Sequence, residues 1–233
     1  MNLKKAAIST VLIASIALSG CTMGSSNDNK QETDVKKQEN SQVEMKETEK
    51  LNYSINKETF KDESRNITIY YPQIKEYSGE LVMDNINQSL RKIVDTYGKD
   101  KTYTDVSIDY EITKSSNDIL SVLFKGKGKL TDIGEVNIMQ SVNLDVHSSN
   151  EINYENFVKD DEAVRKILDK KAKEQGLKDG VEAEGIRVYF KDSDVVFYYM
   201  PLDDSAKEFI EVSVPYEEIK EYVNKDFGEK PAS

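Results

Sequence analysis

The chain contains one histidine and one cysteine, so a histidine relay, a cysteine nucleophile or a thiolate or imidazole metal site would have to involve one of these two residues. His147 lies close to Asp145 and Ser148, and these are the three residue types of a hydrolase relay. The side chains of a relay must converge, whereas near neighbours in one extended segment do not. A zinc site needs several nitrogen or sulfur ligands, which one histidine does not supply. We therefore predict that His147 is an exposed turn residue and that the chain holds no metal or other cofactor.

Carboxylates offer a second kind of chemistry, because they bind calcium and act as acids and bases. They cluster at three places, Asp160-Asp161-Glu162, Asp192 with Asp194, and Asp203-Asp204. An EF-hand loop needs alternating oxygen ligands, a central glycine and a final glutamate, and the segment from Asp192 lacks this pattern. Glycoside hydrolysis needs two carboxylates about 5–9.5 Å apart, a separation that a sequence does not define. Helix capping and solvated turns are the simpler interpretation, and an enzyme that uses carboxylates alone remains the alternative.

Glycines and tyrosines suggest two further sites, each with a simpler structural interpretation. Gly126-x-Gly128 lacks the third glycine and the following helix of a phosphate-binding loop, so it predicts a bend in a strand. The pairs Tyr70-Tyr71 and Tyr198-Tyr199 could stack on sugar rings, but core and half-buried sheet positions favour tyrosine in any case. The residue types and their spacing therefore do not indicate an enzyme.

The composition is acidic, with a formal net charge of -11 at pH 7. Nucleic acid and anionic lipid headgroups repel such a surface, so a nucleic-acid partner is not expected. A cationic partner would be attracted by the same charge. Net charge of this kind governs solubility and long-range steering, and it does not determine the fold.

The N-terminus has the features of a secretory signal. Met1–Lys5 is basic, and Ala6–Leu18 is an uncharged run shorter than the roughly 20 residues of a membrane-spanning helix. Small residues follow this run, as they do before a signal cleavage site. We therefore predict that residues 1–20 are a signal peptide.

The four residues Leu18, Ser19, Gly20 and Cys21 resemble the lipobox of bacterial lipoproteins. The resemblance implies that diacylglycerol is transferred to the Cys21 thiol and that the chain is cut between Gly20 and Cys21. It also implies that acyl chains such as palmitate hold the protein at the outer face of the cytoplasmic membrane. An ordinary secretory signal followed by a cysteine by chance is the alternative.

Residues 21–50 are polar, contain no aromatic residue and are rich in Ser, Asn, Gln, Glu and Lys. Such a composition buries too little apolar surface to offset the entropy of ordering, so we predict a disordered tether behind the lipidated cysteine. All aromatic residues lie beyond it. The folded region is therefore expected at 51–228, with a short tail at 229–233.

The first part of the folded region combines strands with one helix. Alternating apolar and polar residues predict strands at Leu51–Ile55 and Asn66–Tyr71, the second of which ends at Pro72. An apolar stripe with helical spacing predicts a helix from Gly79 to Gly98, where the second glycine is a natural stop. Three further strands are predicted to form an antiparallel meander, at Thr104–Thr113, Asp118–Leu130 and Gly134–Val146.

The second part adds helices and another set of strands. The predicted elements are a turn or short helix at Asn153–Phe157, a helix at Asp160–Gln175, strands at Ile186–Phe190, Val195–Met200 and Phe209–Val214, a four-residue hairpin loop at Lys191–Asp194, and a last helix at Tyr216–Val223. Helices between runs of antiparallel strands predict an α+β fold with mostly antiparallel sheets and about three helices. We expect two consecutive small modules, at 51–135 and 136–228.

Short motifs in both modules resemble a known extracytoplasmic unit. They are Leu144-Asp145-Val146, Ile152–Phe157 and Val212–Ile219 in the second module, and Ile69–Ile74 with Ile86-Asn87 in the first. The unit forms the outer part of the lysozyme-sensing anti-sigma-V factor of Gram-positive bacteria, and it precedes the catalytic domain of a peptidoglycan deacetylase. Thr131–Val136 departs from the Gly-Gly-Ala-His stretch that this family often has. The resemblance implies the fold and a place in the cell envelope, and it carries over neither sigma-factor control nor catalysis.

Together these features predict a non-catalytic, extracytoplasmic lipoprotein that binds a partner at the cell envelope. The partner would be cell-wall glycan (peptidoglycan) or a cationic protein such as lysozyme, which the acidic charge and the resemblance favour. A peptidoglycan-acting enzyme and a scaffold for an envelope complex are the alternatives. The sequence does not define which residues bind the partner.

Overall fold

The computed structural model describes residues 50–177, 180–181, 184–202 and 208–225. The predicted signal peptide with Leu18–Cys21 lies outside the described residues, as do the tether up to residue 49, the tail at 229–233 and Asp203-Asp204.

Five strands form sheet 1, in the spatial order β1-β2-β3-β4-β5. They are β1 (Ser54–Asp62), β2 (Ile67–Lys75), β3 (Tyr103–Ser115), β4 (Ile119–Leu130) and β5 (Gly134–Asp145). All neighbours pair antiparallel except β2 and β3, which run parallel and meet through Thr68–Ser107 and Ile69–Ile108. Between them the chain passes through helix α1 (Glu80–Ile93) and a π-helical turn (Val94–Lys99), because parallel neighbours need a long crossover.

Three antiparallel strands form sheet 2, which follows sheet 1 along the chain. They are β6 (Arg187–Lys191), β7 (Asp194–Tyr199) and β8 (Ile210–Pro215). Helices α2 (Tyr154–Phe157) and α3 (Asp161–Glu174) precede this sheet, and the single turn α4 (Tyr216–Ile219) follows it. The predicted α+β class with mostly antiparallel sheets is confirmed, and so is the meander β3-β4-β5. The part of the chain that the structure describes has no helix with the length and apolar character to cross a membrane.

The two long helices are amphipathic, and each covers one sheet. The buried stripes are Ile86, Leu90 and Ile93 in α1, which pack on sheet 1, and Val164, Leu168 and Ala172 in α3, which pack on sheet 2. The spacing of three to four residues places each stripe on one side of its helix. Most of the stability of such helices comes from this burial rather than from helix propensity.

β4 is buried on both faces and lies at the centre of the fold. Leu120, Val122 and Phe124 belong to the core beneath α1, whereas Leu123 packs against sheet 2 in a cluster with Tyr198. This double burial accounts for the almost continuous apolar run at the start of the strand. The layers are therefore α1, sheet 1, sheet 2 and α3, in that order.

Polar side chains join the two sheets where β6 crosses sheet 1. Asn143 Nδ2 donates to the carbonyl oxygens of Val188 at 2.8 Å and Ile152 at 3.0 Å. Ser121 Oγ accepts the backbone N–H of Phe190 at 3.1 Å and donates to Asn143 Oδ1 at 2.7 Å. Buried backbone groups must have hydrogen-bond partners, and these side chains supply partners for backbone groups at the outer edge of β6.

Pro72 does not end β2, which continues to Lys75. The residue lies opposite Lys57 of β1, beyond the short stretch of β2 that pairs with β3. A proline has no N–H to donate, and a strand tolerates it where only one side is paired. The prediction that the strand stops at Pro72 is therefore wrong.

Gly98 does not end the first helix, because the helical path continues to Lys99 through the π-helical turn. A Cβ atom at Gly98 would lie 2.7 Å from the ring of Phe60 in β1. Gly98 therefore allows β1 to pack close to the π-helical turn, because it has no side chain. The prediction of a glycine stop at this position is wrong.

Several element ends differ from the predictions. The β6–β7 turn has two residues rather than four, because Lys191 and Asp194 pair as the last residues of the ladder. Asp192 in this turn has a φ of 49°, a left-handed conformation that Asp tolerates. The last helix ends at Ile219 instead of Val223.

The module boundary predicted at 135/136 falls at the start of β5, the last strand of sheet 1. β5 begins at Gly134 and pairs with β4 along its whole length, up to Asp145. Sheet 1 therefore extends about one strand beyond that boundary. Because the two sheets share buried residues such as Leu123 and Tyr198, they pack as parts of one compact unit.

Candidate functional site

A groove of about 450 Å³ runs beside β5, the strand at the edge of sheet 1. Its walls come from the π-helical turn, the middle of β5, the chain around the start of α2, and the start of β6. The lining includes Tyr97, Gln140, Asn153, Tyr154 and Arg187. Pockets of about 300–1,000 Å³ are the usual size for small-molecule sites.

The outer edge of β5 is covered where it borders the groove. Met139 O accepts from Arg187 Nη1 at 3.2 Å, and the Ser141 N–H donates to the Tyr198 hydroxyl at 2.7 Å. Further along, Asn143 O accepts the backbone N–H of Ile152 at 2.7 Å. An edge strand with its backbone groups engaged is protected against pairing with another strand. A ligand in the groove would therefore meet side chains and not an open strand edge.

A capping box fixes the wall that carries Tyr154. Asn153 Oδ1 accepts the Asn156 N–H at 3.0 Å, and Asn156 Oδ1 accepts the Asn153 N–H at 2.9 Å, which holds the single turn of α2 in place. The Tyr154 ring packs edge-to-face on Phe197 with centroids 6.1 Å apart, and its hydroxyl donates to Asp161 at 2.7 Å. Burial, together with this carboxylate, raises the pKa of Tyr154, so the phenol stays neutral.

Tyr97 and Arg187 provide a second aromatic ring and a cation. Tyr97 packs edge-on against Tyr103 with centroids 5.1 Å apart. Burial raises the pKa of Tyr97, and the positive charge of Arg187 opposes that shift. The Arg187 side chain is exposed and donates to Met139 O through Nη1. A guanidinium has five N–H donors, so others remain for a ligand.

The charge in the groove is mixed. Glu151 and Glu155 both line it, and Glu151 forms an ion pair with Lys92 at 2.5 Å. Thr96 and Gln140 add a hydroxyl and an amide. This set of groups can recognise a polar ligand through several hydrogen bonds, with a place for an anionic group near the guanidinium.

Ser141 is a serine that lines this groove, so its hydroxyl is a candidate nucleophile. Its Oγ donates to Val188 O at 2.7 Å and accepts from the Tyr198 hydroxyl at 3.0 Å. A serine nucleophile needs an adjacent base to take its proton, and the proton of Ser141 is held by a carbonyl. Ser141 therefore has a structural role in joining β5 to sheet 2.

His147 lies in an exposed turn and forms no relay with its neighbours. Asp145 Oδ1 accepts the backbone N–H groups of His147 at 2.9 Å and Ser148 at 2.8 Å, so it caps the turn. The ring Nε2 lies 3.0 Å from Asp118 Oδ1, and the two side chains are 61% and 78% exposed. The prediction of an exposed turn histidine is confirmed.

The carboxylates at the start of α3 cap and stabilise that helix, as predicted. Asp160 accepts the backbone N–H of Ala163 at 3.0 Å. Asp161 accepts from Arg165 at 2.7 Å one turn later, and this hydrogen bond is the main reason that the pKa of Asp161 is lowered. Glu162 pairs in the same way with the lysine four residues on.

Asp192 and Asp194 lie in and beside the β6–β7 turn. Asp194 accepts from Ser213 Oγ at 2.7 Å, so it links neighbouring strands of sheet 2. Over the described ranges, no group of three or more His, Cys, Asp or Glu residues is arranged to hold a metal ion.

The tyrosine pairs differ in their accessibility. Tyr198 and Tyr199 are 0% and 2% exposed, and Tyr71 is also buried, so these three rings cannot stack on a sugar. Tyr70 is half-buried, with the Lys57 ammonium 4.0 Å from its ring centroid. The prediction that tyrosines fill core and half-buried sheet positions is confirmed for these residues.

Gly126 does not interrupt β4, which pairs with β5 without a break. A Cβ atom at this position would lie 2.2 Å from the carbonyl oxygen of Ser107 in β3. The glycine therefore permits close approach of two strand backbones, and the β3 ladder is irregular between Thr104 and Ser107. The bend predicted at Gly126-x-Gly128 stays a prediction, and the close approach is the observed reason for a glycine at position 126.

The chain is similar in fold to solved structures of the DUF3298 family. A member from Bacteroides fragilis superposes with a TM-score of 0.53 at 12% identity, covering 74% of this chain and 94% of that one. A second, from Pseudomonas aeruginosa, has a TM-score of 0.48 at 11% identity, covering 74% and 92%. At this level of identity the first likeness shows a shared fold only. No family profile and no curated protein sequence matches the chain.

Sequence reasoning did not find the residues of the groove. Tyr97, Gln140 and Arg187 lie in three separate segments, and none of them belongs to a motif with a fixed spacing. The one local signal was the Asn-x-x-Asn spacing of Asn153 and Asn156, which indicates a capped helix start. Only the packing of sheet 1 on sheet 2 brings these side chains together.

Proposed function

We propose that the protein is a non-catalytic binding lipoprotein of the cell envelope, held at the outer face of the cytoplasmic membrane by lipid on Cys21. The observation that carries the binding role is the groove beside β5, with its combination of Tyr97, Tyr154, Gln140 and Arg187. The resemblance to the outer unit of envelope proteins and the lipobox-like Leu18–Cys21 support the location.

Cell-wall glycan is the ligand class that suits this groove best. Acetylated amino sugars present hydroxyl and amide groups, which the Gln140 amide and the Thr96 hydroxyl can match. The peptide stems of peptidoglycan carry carboxylates, which a guanidinium such as that of Arg187 binds in a bidentate manner. The half-buried Tyr97 ring adds apolar surface against a sugar face.

The bonding of the possible reactive groups favours binding over catalysis. The hydroxyl proton of Ser141 is donated to Val188 O, and the Glu151 carboxylate is paired with Lys92. A general acid or base must be free to exchange a proton with the ligand. The rival proposal, a peptidoglycan-acting enzyme that uses carboxylates, rests on Glu151 and Glu155.

A cationic protein such as lysozyme is the second candidate partner. The net charge of -11 favours it, since long-range attraction raises the rate of encounter with a basic protein. Such an interaction would use the acidic surface and need not involve the groove.

Calorimetry with two ligands tests the proposal. The full chain carrying Cys21→Ser, which cannot be lipidated, is titrated with a soluble disaccharide-peptide fragment of peptidoglycan and, separately, with lysozyme. We expect the fragment to bind, and Arg187→Ala to weaken it by about tenfold, or ~1.4 kcal/mol. Arg91→Ala is the matched control, because Arg91 is exposed on α1 and does not line the groove.

Salt separates the two candidate partners. Binding of a basic protein through net charge falls steeply as salt rises, whereas glycan binding through hydrogen bonds changes little. Equal losses of affinity for the fragment in Arg187→Ala and Arg91→Ala would show that the fragment does not bind in the groove. Cleavage of the fragment during the titration, abolished by Glu151→Gln, would establish the enzyme instead.

A further inference from the structure

A second pocket, of about 330 Å³, lies between the start of β4, the end of α2, sheet 2 and α4. It is called the apolar pocket here. Its apolar lining consists of Ile119, Phe157, Phe190, Val195 and Tyr216, and none of these residues lines the groove beside β5. The pocket is thus a separate feature of the fold.

Two phenylalanine rings make the floor of the apolar pocket rigid. Phe157 and Phe190 pack edge-to-face, with centroids 5.2 Å apart and planes at 90°. They are 1% and 4% exposed, whereas Ile119 and Tyr216 at the mouth are half-buried. A ligand in this pocket would therefore meet hydrocarbon and aromatic surface on its inner side.

The rim of the apolar pocket is basic. Lys114 and Lys225 both line it, and no carboxylate among the residues that the structure describes does. Lys114 Nζ is positioned by a hydrogen bond to the carbonyl oxygen of Asp192 at 3.0 Å. In a chain with 43 acidic and 32 basic residues, two lysines and no acid among the described lining residues are the reverse of the general composition. This local charge favours an anion at the mouth of an apolar site.

The amide at the rim is already engaged by the protein. Asn224 Nδ2 donates to Asn156 O at 2.7 Å, and the Asn224 N–H donates to Phe157 O at 2.8 Å. A peptide ligand would leave its own backbone groups unpaired here, and this costs free energy in an apolar site. An acyl chain has no such groups to pair.

We propose that the apolar pocket binds a single-chain anionic amphiphile of the fatty-acid type. Its acyl chain lies against Phe157 and Phe190, and its carboxylate lies beside Lys114 and Lys225. This site is independent of the groove beside β5 and of its ligand.

Titration with ligands of equal chain length but opposite charge tests the proposal. Decanoate and decyltrimethylammonium, both below their micelle concentrations, are added to the full chain carrying Cys21→Ser. This substitution prevents the acyl chains of a lipid anchor from competing. We expect saturable binding of decanoate at 1:1 stoichiometry and at least tenfold weaker binding of the cation. Inorganic phosphate alone should not bind, because it has no chain to bury.

Charge reversal at the rim should change the preference of the pocket from the anionic to the cationic amphiphile. Lys114→Glu with Lys225→Glu is expected to weaken decanoate at least tenfold and to strengthen decyltrimethylammonium. The matched control is Lys127→Glu with Lys129→Glu, which makes the same change in net charge at exposed positions of β4 outside the pocket. Ile119→Trp, which fills the mouth and keeps both lysines, should weaken both amphiphiles if its circular dichroism spectrum stays that of the parent chain.

Four outcomes would overturn the proposal. The first is the absence of saturable decanoate binding, and the second is equal binding of the two amphiphiles by the parent chain. The third is a dimer that dissociates on charge reversal at the rim, which would show that a second copy of the chain occupies the pocket. The fourth is decanoate binding that appears only after removal of residues 226–233, which would show that the chain's own C-terminal segment occupies the pocket.

Discussion

Asn143 and Val188 fasten the two sheets together, because Asn143 Nδ2 donates to the Val188 carbonyl oxygen at 2.8 Å between residues that are 3% and 1% exposed. Asn143 belongs to β5 at the edge of sheet 1, and Val188 belongs to β6 at the edge of sheet 2. Asn143 and the Ser141 hydroxyl together pair a carbonyl that an edge strand would otherwise leave open. Both residues also line the groove beside β5, so its shape depends on this junction.

Replacing Asn143 with leucine should therefore destabilise the whole fold. Asn143→Leu removes the side-chain donor of the Ile152 carbonyl and one of the two donors of the Val188 carbonyl, which keeps Ser141 Oγ. Loss of these buried hydrogen bonds costs about 2–3 kcal/mol. Urea unfolding followed by circular dichroism measures the change. Asn85→Leu is the control, since Asn85 is exposed and its amide reaches only Ser149 Oγ at 3.3 Å. Equal losses from the two substitutions would show that the junction contributes nothing of its own.

A methyl group at Gly126 should be far more damaging than one at Gly128. In Gly126→Ala the new Cβ would lie 2.2 Å from Ser107 O, a backbone atom that cannot move aside without shifting β3. In Gly128→Ala the nearest atoms are side-chain methyls 3.2 Å away, which can yield slightly. We expect a loss of about 3 kcal/mol or more for the first and ~1 kcal/mol for the second. Thermal unfolding of the two variants checks this order, and the reverse order would contradict the close approach of the strands.

Asp62 should make the free energy of unfolding depend on pH in the acidic range. Its carboxylate accepts from Ser64 Oγ at 2.6 Å, and from Arg65 Nε at 2.8 Å, and these bonds lower its pKa from 3.8 to about 2. Because the folded state holds the carboxylate ionised, the unfolded chain binds more protons between these pH values, so stability falls as pH falls. The contribution is complete above pH 4 and is lost as the pH falls from 3.8 to about 2.

Asp62→Asn is the variant that isolates this effect. It should be less stable than the parent chain at neutral pH, and the difference should shrink as the pH falls and vanish below about pH 2. Urea midpoints measured between pH 7 and pH 2 give the profile. A difference that stays constant over this range would mean that Asp62 acts only by packing.

The proposed lipidation of Cys21 predicts that this residue attaches the protein to the membrane. In a bacterial host the parent chain should appear in the membrane fraction, with the mass of a diacylglycerol-modified polypeptide that begins at Cys21. Cys21→Ser should abolish the modification, because the hydroxyl is a much weaker nucleophile than a thiol. Mass spectrometry of both fractions provides the measurement, and a parent chain cut elsewhere and released unmodified would support an ordinary secretory signal.

The periodicity of the sequence predicted most elements of the fold because it reports burial on one face. The apolar stripe through Ile86, Leu90 and Ile93 predicted α1, and the alternation in β3 and β5 predicted strands of the meander. The errors arose at Pro72 and Gly98, where a local rule favours a stop. At both positions the tertiary structure removes the reason to stop, through a one-sided strand pairing and a close contact with Phe60.

The groove could not be predicted in the same way. Tyr97 and Arg187 are 90 positions apart in the sequence, and they come together only because sheet 2 packs across β5. Hydrogen bonds such as that from Asn143 to Val188 depend on this packing and have no signature in a single sequence. Periodicity indicates which face of a strand is buried, and it does not indicate which other strand covers that face.

The narrow parallel contact between β2 and β3 has a consequence for how the chain folds. The β1–β2 hairpin and the β3–β4–β5 meander each consist of contacts between neighbours in the sequence, which form quickly. Their connection through Thr68–Ser107 and Ile69–Ile108 requires α1 to fold back first. We therefore expect the two halves of sheet 1 to form separately during synthesis and to join last. Until they join, β3 has an unpaired edge that a second chain could occupy.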